Sequence, residues 1–287
     1  MWIDSGIHAR EWISPAVGTW MLNELLENEV NHPDLLTKLD WYFLPSVNPD
    51  GYHKSREEDR MWRKTTSWYE GAECQGTDAN RNWDFHWGEE GGGSEDSCSL
   101  NYQGPAPFSE VEVRNVRDFV LAHKEDIKYY QALHSYRQFI LFPWGYTEDP
   151  APGKGFFFEG FPKFDKKPEE LVLIMILHTI FDTLHVTGYD QLLDLATRGN
   201  EALYAVNNVT YTPGCIPCLM YLAAGTSLDW ALGVGDIPYT YTIELRDTGD
   251  YGILLPPSEI IPNAKEVWAF HLVVAEQIIN EFGTEYC

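Results

Sequence analysis

The 287-residue sequence predicts an α/β fold, in which a β-sheet is covered by helices. Short segments rich in aromatic and β-branched residues alternate along the chain with segments of helical periodicity. No repeat or low-complexity linker divides the sequence, and a hydrophobic fraction of 44% suits one large domain, or at most two. Because alternating strands and helices are typical of a sheet with helices on its faces, we predict this architecture.

Five segments are predicted to be strands, because they are short and rich in aromatic or β-branched residues. In chain order they are MWIDS (1–5), WYFLPSV (41–47), YYQALH (129–134), QFILF (138–142) and YTYTIEL (239–245). The spacing of apolar residues predicts four helices, at about 15–30, 109–124, 190–207 and 263–282. Ser109 and Glu112 match the capping-box pattern, so we expect them to cap the second helix.

The charge balance excludes some classes of partner. The chain has 44 acidic and 20 basic residues and a formal net charge of -24, which argues against nucleic acids and anionic membrane surfaces. The longest apolar run, at 171–184, is interrupted by His178 and Asp182 and is too short to span a bilayer. We therefore expect a soluble protein with neither nucleic acid nor membrane as a partner.

The cysteine pattern favours a secreted protein. Cys74 and Cys98 bracket a Gly-rich, acidic loop that a disulfide would hold together. The pairing of the other three is left open: Cys215, Cys218 and Cys287. A glycosylation sequon at Asn208 points the same way, although such short motifs also occur by chance. No signal peptide opens the sequence, so extracellular localisation is an indirect expectation.

Polar residues follow or end four of the predicted strands. His8 comes after the first strand and Asn48 after the second, while His134 ends the third and Glu244 ends the last. Ligands of α/β sheets bind beyond the carboxyl ends of the strands. We therefore expect a functional site where these side chains meet.

The segment GIHAREW (6–12) raises the question of a metal site. Its His8 and Glu11 are three positions apart, and this spacing alone also fits a helix start, where a glutamate is favoured. A catalytic zinc site has three protein ligands, and two histidines with one glutamate form a recognised set. His8, Glu11 and His134 would supply that set, although His134 could instead be a core histidine at a strand end.

Seven ordered sequence blocks carry a resemblance to a known family. They are GIHAREW (6–12), NPDGY (48–52), RMWRKT (60–65), DANRNW (78–83), HSY (134–136), MYLAAGTSLDW (220–230) and ELRDTGDYGILLP (244–256). In this order they resemble the A/B-type zinc metallocarboxypeptidases, the pancreatic carboxypeptidase A-like family. The resemblance implies a mixed twisted sheet flanked by helices on both faces. It also implies a hydrolase that uses one Zn²⁺ ion to remove the C-terminal residue of peptides and proteins.

The resemblance assigns roles at the metal. It implies that His8, Glu11 and His134 bind zinc and that Asp78 orients His8, as such hydrogen-bonded partners of metal ligands do. Glu244 corresponds to the general base that takes a proton from the attacking water. An ion pair with Arg246 is the alternative for Glu244, because alternate residues of a strand share a face. Arg63 resembles the cation that stabilises the tetrahedral oxyanion, with a solvated surface arginine as the alternative.

The resemblance also implies a substrate-binding set. Asn80 and Arg81 correspond to the pair that binds the free carboxylate, for which a planar guanidinium is suited. Tyr221 corresponds to a mobile tyrosine that covers the bound residue, and Arg10 to an outer-subsite arginine. The walls of the specificity pocket are implied to be Leu141, Gly145, Ile216, Met220, Ala223, Leu228 and Thr242.

These walls predict the preferred substrate. Basic-specific members of the family have an acidic residue where this chain has Leu228, and a buried lysine or arginine without a partner costs several kcal/mol. We therefore predict a preference for apolar or aromatic C-terminal residues. The neighbouring Asp229 belongs to the shared DW motif and is not expected to select basic residues.

Two departures from the family pattern affect the domain organisation. We expect residues 1–287 to form a single catalytic domain that is N-terminally truncated and lacks the family's propeptide and first two strands. The ligand-bearing strand would then be an exposed sheet edge, which predicts poor stability. Residues 152–188 match nothing in the family pattern and are interpreted as an atypical insertion, since long unpatterned segments are unusual in compact domains.

Two other functions compete with an active exopeptidase. A catalytically silent peptide-binding protein or a truncated homologue could have the same fold, but the chain retains the groups that silent relatives commonly lose. An amidase could use the same zinc geometry, although Asn80, Arg81 and Tyr221 suit a peptide C-terminus. The expected partners are peptide or protein C-termini, with a proteinaceous inhibitor or a propeptide as a further partner. We expect the protein to be a monomer.

Overall fold

A six-stranded mixed sheet forms the centre of the protein. The computed structural model describes residues 1–89, 91–149 and 188–283. The strands are β1 (Trp2–Ser5), β2 (Tyr42–Leu44), β3 (Tyr129–Ser135), β4 (Phe139–Phe142), β5 (Thr212–Cys215) and β6 (Tyr239–Leu245). Their order is β2-β1-β3-β6-β4-β5, and every neighbouring pair is parallel except the antiparallel pair β4 and β6. The predicted mixed sheet is therefore confirmed.

Eight α-helices surround the sheet in the described part of the chain. They are α1 (Ile13–Glu27), α2 (Pro33–Lys38), α3 (Pro49–Glu57), α4 (Val111–Ala122), α5 (Tyr189–Asn207), α6 (Ile216–Leu219), α7 (Ser227–Gly233) and α8 (Ile260–Phe282). The four predicted helices correspond to α1, α4, α5 and α8. The other four have between 4 and 9 residues, too few to show an apolar period. Strand β5 was not predicted because its residues Pro213 and Gly214 are disfavoured in strands.

The predicted capping box at α4 is wrong. The residue before the helix is Glu110, and neither Ser109 nor any other side chain caps the first turn. Ser109 instead donates from its hydroxyl to the Glu110 carboxylate at 2.9 Å and accepts from the Asn82 amide at 2.9 Å. Because Ser109 has these two side-chain partners, its oxygen is not used for the helix terminus.

The two faces of the sheet bury separate sets of side chains. Ile3, Leu133 and Ile243 lie on one face and belong to a cluster that includes residues of α1, α5 and α8. Trp2 and Tyr130 lie in a second cluster with residues of α4 and α7. Each is adjacent in its strand to a residue of the first cluster. Side chains of a strand alternate between the two faces. The prediction of helices on both faces is therefore confirmed.

Strand β1 lies inside the sheet, not at its edge. It pairs with β2 on one side and β3 on the other, and all four of its residues are buried. The expectation that the ligand-bearing strand is an exposed edge is therefore wrong, because the strand predicted at 41–47 covers its outer side. Poor stability of the chain stays a prediction, without this physical reason for it.

The parallel arrangement brings several carboxyl ends to one edge of the sheet. In the register of β3 and β6, His134 lies opposite Glu244. The end of β1 lies beside β3, so the loop that carries His8 enters the same region. Asn48 is also near but has another role. Its side-chain Oδ1 accepts the Gly51 N–H at the start of α3, and its side-chain Nδ2 donates to the backbone carbonyls of Ile7 and Lys64.

Two disulfides occur among the described residues. The predicted pair Cys74–Cys98 is bonded, and Cys215 is bonded to Cys218, which the sequence left open. Cys287 and, except for Gly188, the predicted insertion at 152–188 lie outside the described residues. None of the described helices has the length and apolar character needed to cross a membrane. That residues 1–287 form a single domain stays a prediction.

Candidate active site

Three potential metal ligands converge at the end of the sheet. The Nδ1 atom of His8 lies 2.9 Å from Oε1 of Glu11, and the Nδ1 atom of His134 lies 3.1 Å from Oε2 of the same carboxylate. The two histidine Nδ1 atoms are 3.1 Å apart. One ligand atom from each residue lies within 4.8 Å of the others, and all three residues are buried. Two imidazoles and a carboxylate arranged in this way fit the donor set that binds catalytic zinc.

The start of α1 fixes the loop that carries His8 and Glu11. The Ser14 hydroxyl accepts the backbone N–H of Gly6 at 2.9 Å and donates to the backbone carbonyl of Leu133 at 2.6 Å. Glu11 accepts a further hydrogen bond from the backbone N–H of Ser135 at 3.1 Å. These bonds join the loop to β3 on both sides of His134, so distant parts of the sequence are held at one point.

Asp78 lies behind the ligands and orients His8. Its Oδ1 atom is 3.0 Å from Nε2 of His8, which leaves Nδ1 directed at the centre of the site. A carboxylate in this position fixes the tautomer of a metal-binding histidine. Although burial opposes ionisation, the charges of Arg63 and His8 hold the pKa of Asp78 well below its usual value. Asp78 is therefore a permanent negative charge next to the metal ligands.

Arg63 connects Asp78 with the pocket. Its Nε and Nη2 atoms donate to Oδ2 of Asp78 at 3.2 and 2.8 Å, and Nη1 lies 3.7 Å from Oε1 of Glu11. The side chain lines the cleft beside the ligands. It is therefore not a solvated surface arginine, and its fixed charge is placed where a developing negative charge would be stabilised.

Glu244 lines the same cleft without a hydrogen-bonding or ionic partner among the described residues. Burial raises the pKa of its carboxyl group to about 7, while the charges of His134, Arg63 and Arg137 act in the opposite direction. The alternative ion pair with Arg246 is wrong. The Arg246 guanidinium binds Glu259 and Glu266 beside and within α8. Glu244 therefore remains available to exchange a proton in the cleft.

A buried arginine lies beside the metal ligands. The short 3-10 helix Ala79–Arg81 follows Asp78 and directs Arg81 into the cleft. Arg81 donates to the Asn80 carbonyl at 2.6 Å and to the Tyr221 hydroxyl at 3.4 Å, whereas its buried Nε has no hydrogen-bond partner among the described residues. The Asn80 amide nitrogen is 3.4 Å from Nε2 of His134. An unpaired, buried guanidinium N–H is suited to bind a carboxylate from outside.

The predicted specificity pocket has an apolar wall. Six of its seven predicted residues line the cleft: Leu141, Ile216, Met220, Ala223, Leu228 and Thr242. Gly145 lies behind the wall, where a Cβ atom would be 2.8 Å from the Ile216 side chain and 2.8 Å from the Ala223 carbonyl. Its lack of a side chain therefore allows the wall to close against the loop that follows β4.

Asp229 is buried next to this wall but does not line the cleft. Its carboxylate accepts the backbone N–H of Gly145 at 2.9 Å and that of Tyr146 at 3.0 Å. It therefore fixes the loop after β4 and presents no free charge to the pocket, in agreement with the sequence interpretation.

Five further residues that the sequence analysis did not assign also line the cleft. They are Ser135, Tyr136, Arg137, Thr226 and Ile253. Four of them belong to the sequence blocks quoted above, so their positions could have been found from those blocks. Arg137 belongs to no block and is brought to the cleft by the turn between β3 and β4.

Comparison with known proteins identifies the family. The zinc carboxypeptidase family model matches residues 1–270. The chain belongs to the zinc carboxypeptidase family. The family resemblance seen in the sequence blocks is thereby confirmed, and the family name implies Zn²⁺ as the metal for the three ligands.

Individual carboxypeptidases align with almost the whole chain. Carboxypeptidase B of Astacus astacus is 42% identical over 284 residues, an alignment that covers 99% of this chain and 82% of that protein. Carboxypeptidase A2 of Mus musculus is 37% identical over 281 residues, covering 97% of this chain and 58% of the mouse protein. The chain thus spans somewhat more than half the length of the mouse relative.

Solved structures confirm the carboxypeptidase fold. Bovine thrombin-activatable fibrinolysis inhibitor, in complex with tick carboxypeptidase inhibitor, superimposes with a TM-score of 0.80 at 36% identity, covering 98% of this chain and 82% of that one. Carboxypeptidase A from Helicoverpa armigera gives a TM-score of 0.75 at 26% identity, with 99% and 62% covered. Because relatives of this zinc carboxypeptidase carry both A and B names, the preferred C-terminal residue must be argued from its own pocket.

Proposed function

We propose that this chain hydrolyses the C-terminal peptide bond of peptides and proteins and prefers to release apolar or aromatic residues. The observation that carries the proposal is the unpaired Nε of Arg81, buried in the same cleft as the His8, Glu11 and His134 cluster. A substrate carboxylate bound there would place the last peptide bond beside the cluster. An endopeptidase substrate has no free carboxylate next to the scissile bond to bind such a cation, so the arrangement favours an exopeptidase.

The apolar wall supports the preferred substrate. Leu141, Ile216, Ala223 and Leu228 form a separate buried cluster on the cleft, and none of the residues lining the wall is charged. A lysine or arginine side chain placed against this wall would lose its hydration without gaining a partner. Leucine or phenylalanine would gain free energy from burial of apolar surface.

The chain's own residues divide the chemistry between them. His8, Glu11 and His134 would hold Zn²⁺, which would supply a Lewis acid to the reaction. Glu244 accepts a proton from the water that attacks the carbonyl carbon, and later gives this proton to the leaving amine nitrogen. Arg63 stabilises the negative charge that develops on the carbonyl oxygen. Burial raises the pKa of the Glu244 carboxyl group above its ordinary value, which makes the carboxylate a stronger base toward water.

Release of single residues from a peptide panel tests the proposal. The panel consists of otherwise identical peptides that end in Leu, Phe, Lys or Glu, together with C-terminal amides of the first two. We expect Leu and Phe to be released fastest, the amides to be resistant, and a chelator to stop release. Faster release of Lys would contradict the apolar preference. Equal cleavage of the amides would contradict the carboxypeptidase reaction and support an amidase.

Replacement of Leu228 by aspartate is expected to shift the preference toward basic residues. Leu228 is buried in the wall of the cleft, so an aspartate there would offer a desolvated partner to a lysine side chain. We expect the ratio of kcat/KM for Lys over Leu to rise by about tenfold or more, the effect of a partly buried ion pair of ~1.4 kcal/mol. Leu228→Asn is the matched control: an equal rise with asparagine would show that charge is not the cause.

Extracellular function is a further part of the proposal. The Cys74–Cys98 and Cys215–Cys218 disulfides support it, because disulfides persist in oxidising compartments. We also infer that a proteinaceous inhibitor or a propeptide can cover the cleft of a monomeric enzyme. The solved complex of the bovine relative with a tick carboxypeptidase inhibitor supports the first of these partners.

A further inference from the structure

A second group of residues lines the cleft and shares no member with the apolar wall. It consists of Arg10, Tyr136, Arg137 and Ile253. Arg60 joins two of them, since its guanidinium donates to the backbone carbonyls of Arg10 at 2.8 Å and Ile253 at 3.0 Å. The Arg137 guanidinium lies 5.9 Å from the centre of the Tyr136 ring. Gly252, next to Ile253, packs against the Tyr136 ring, since a Cβ atom at Gly252 would lie 3.0 Å from it. The four residues therefore form one side of the cleft, which we call the outer subsite.

The backbone holds Arg137 beside the reacting groups. Its N–H donates to the carbonyl of Leu245 at 3.1 Å, and the N–H of Gln138 donates to the same carbonyl at 3.2 Å. Leu245 follows Glu244 in β6, and Arg137 is three residues after His134 at the end of β3. The backbone of Arg137 is therefore fixed next to these two residues, and the charge of its guanidinium acts on the Glu244 carboxylate.

The two arginines of the outer subsite form no ion pair with the carboxylates that the structure describes, although the charge of Arg137 acts on Glu244 and that of Arg10 on Glu11. No carboxylate of the described residues lies within 4.0 Å of the guanidinium of Arg10 or Arg137. Arg63, by contrast, is paired with Asp78 in the same cleft. Unpaired cations are notable in a chain with 44 acidic and 20 basic residues, where a carboxylate could have neutralised them. The outer subsite is therefore a positive surface on a protein of strongly negative net charge.

The chemistry of the substrate decides which side chain meets this surface. The scissile carbonyl belongs to the residue that precedes the released one. When that carbonyl lies beside His134 and Glu244, the side chain of the penultimate residue branches from the Cα atom next to the carbonyl. Arg137 lines the same cleft, and its backbone is bound to the residue after Glu244. The penultimate side chain of the substrate is therefore the one that approaches the guanidinium.

We propose that Arg137, together with Arg10, makes the penultimate position of the substrate selective for aspartate or glutamate. The inference rests on the proposed carboxypeptidase function and adds a second determinant of the substrate to the apolar C-terminal residue. The preferred substrate class is thus an acidic peptide that ends in an acidic residue followed by an apolar one. The charge of Arg137 attracts the penultimate carboxylate, and a penultimate lysine is repelled by both guanidinium groups.

Peptides that differ only in the penultimate residue test this inference. The set ends in Glu-Leu, Gln-Leu or Lys-Leu, and kcat/KM is measured for each at low and high salt. We expect the order Glu, Gln, Lys, with about fivefold between Glu and Gln, the effect of one partly exposed ion pair. The ratio should decrease at high salt because exposed charges are screened.

A variant without the Arg137 charge tests whether this residue causes the preference for a penultimate glutamate. Arg137→Gln is expected to bring the Glu-to-Gln ratio close to one. Arg56→Gln is the matched control, since Arg56 is an exposed arginine of α3 that does not line the cleft. Its ratio should equal that of the unchanged protein. An unchanged ratio in Arg137→Gln, or no Glu preference in the unchanged protein, would overturn the inference.

Binding measurements separate this inference from the proposed function. The same three peptides are titrated by calorimetry against the unchanged protein and Arg137→Gln. In one outcome no residue is released, but Glu-Leu binds more tightly than Gln-Leu and does so only when Arg137 is present. This result would support the outer subsite and contradict the proposed hydrolase function. If residues are released with no preference at the penultimate position, the hydrolase proposal stands and the subsite fails.

Discussion

Replacement of Glu244 by glutamine is expected to lower kcat/KM for a Leu-ending peptide by about 10²- to 10⁴-fold, the usual contribution of a general acid or base. Glutamine has the same size but cannot accept a proton from water or give one to the leaving amine. Glu244 has no hydrogen-bonding or ionic partner among the described residues, so the substitution breaks no contact that holds the fold. The loss should therefore appear in turnover and not in stability.

Three measurements distinguish loss of the base from loss of the site. Steady-state kinetics should show a lower kcat with little change in KM, because substrate binding by Arg81 and the apolar wall is retained. Zinc content and thermal unfolding should match those of the unchanged protein. Glu201→Gln, at an exposed position of α5, is the control and should retain full activity. A Glu244→Gln protein that keeps activity within threefold would contradict the proposed role of Glu244.

The sequence predicted those parts of the fold that depend on local patterns. Strand β6 begins and ends where its alternating aromatic and β-branched residues predicted. Strand β5 was not predicted because its proline and glycine are unusual in strands, and it forms a strand through its pairing with β4. The exposure of β1 was predicted wrongly for a similar reason. Its pairing with β2 depends on tertiary packing, which the sequence of β1 alone does not show.

The candidate site was predictable to the extent that its residues stand in recognisable blocks. His8, Glu11, His134 and Glu244 were placed together from the rule that ligands bind beyond strand ends, and the structure brings them into one cleft. Asn48 satisfied the same rule but binds backbone groups, because a strand end fixes position and not the direction of a side chain. Arg137 could not be predicted, since its place depends on backbone bonds to a strand about a hundred residues later.

Removal of the metal is expected to abolish peptide release and to lower the stability of the protein. The three ligands come from the loop before α1 and from β3, so a bound Zn²⁺ ion would hold this loop against the strand. An ion that binds only the folded state adds about 2.7 kcal/mol to the free energy of unfolding at ~100 times its Kd. Dialysis against a chelator, followed by addition of Zn²⁺, should therefore lower and then restore both activity and Tm.

The variant His134→Ala is expected to remove this response to zinc. Alanine deletes one of the three ligand atoms and leaves the contacts of His8 with Glu11 and Asp78 in place, so the chain should still fold. Added Zn²⁺ should then raise neither Tm nor peptide release at concentrations that saturate the unchanged protein. His53→Ala is the control, because His53 is exposed in α3 and does not line the cleft. Equal zinc stabilisation of His134→Ala and His53→Ala would show that the ion binds elsewhere. Stabilisation of His53→Ala alone would tie the ion to the end of β3, where the substrate carbonyl must also lie.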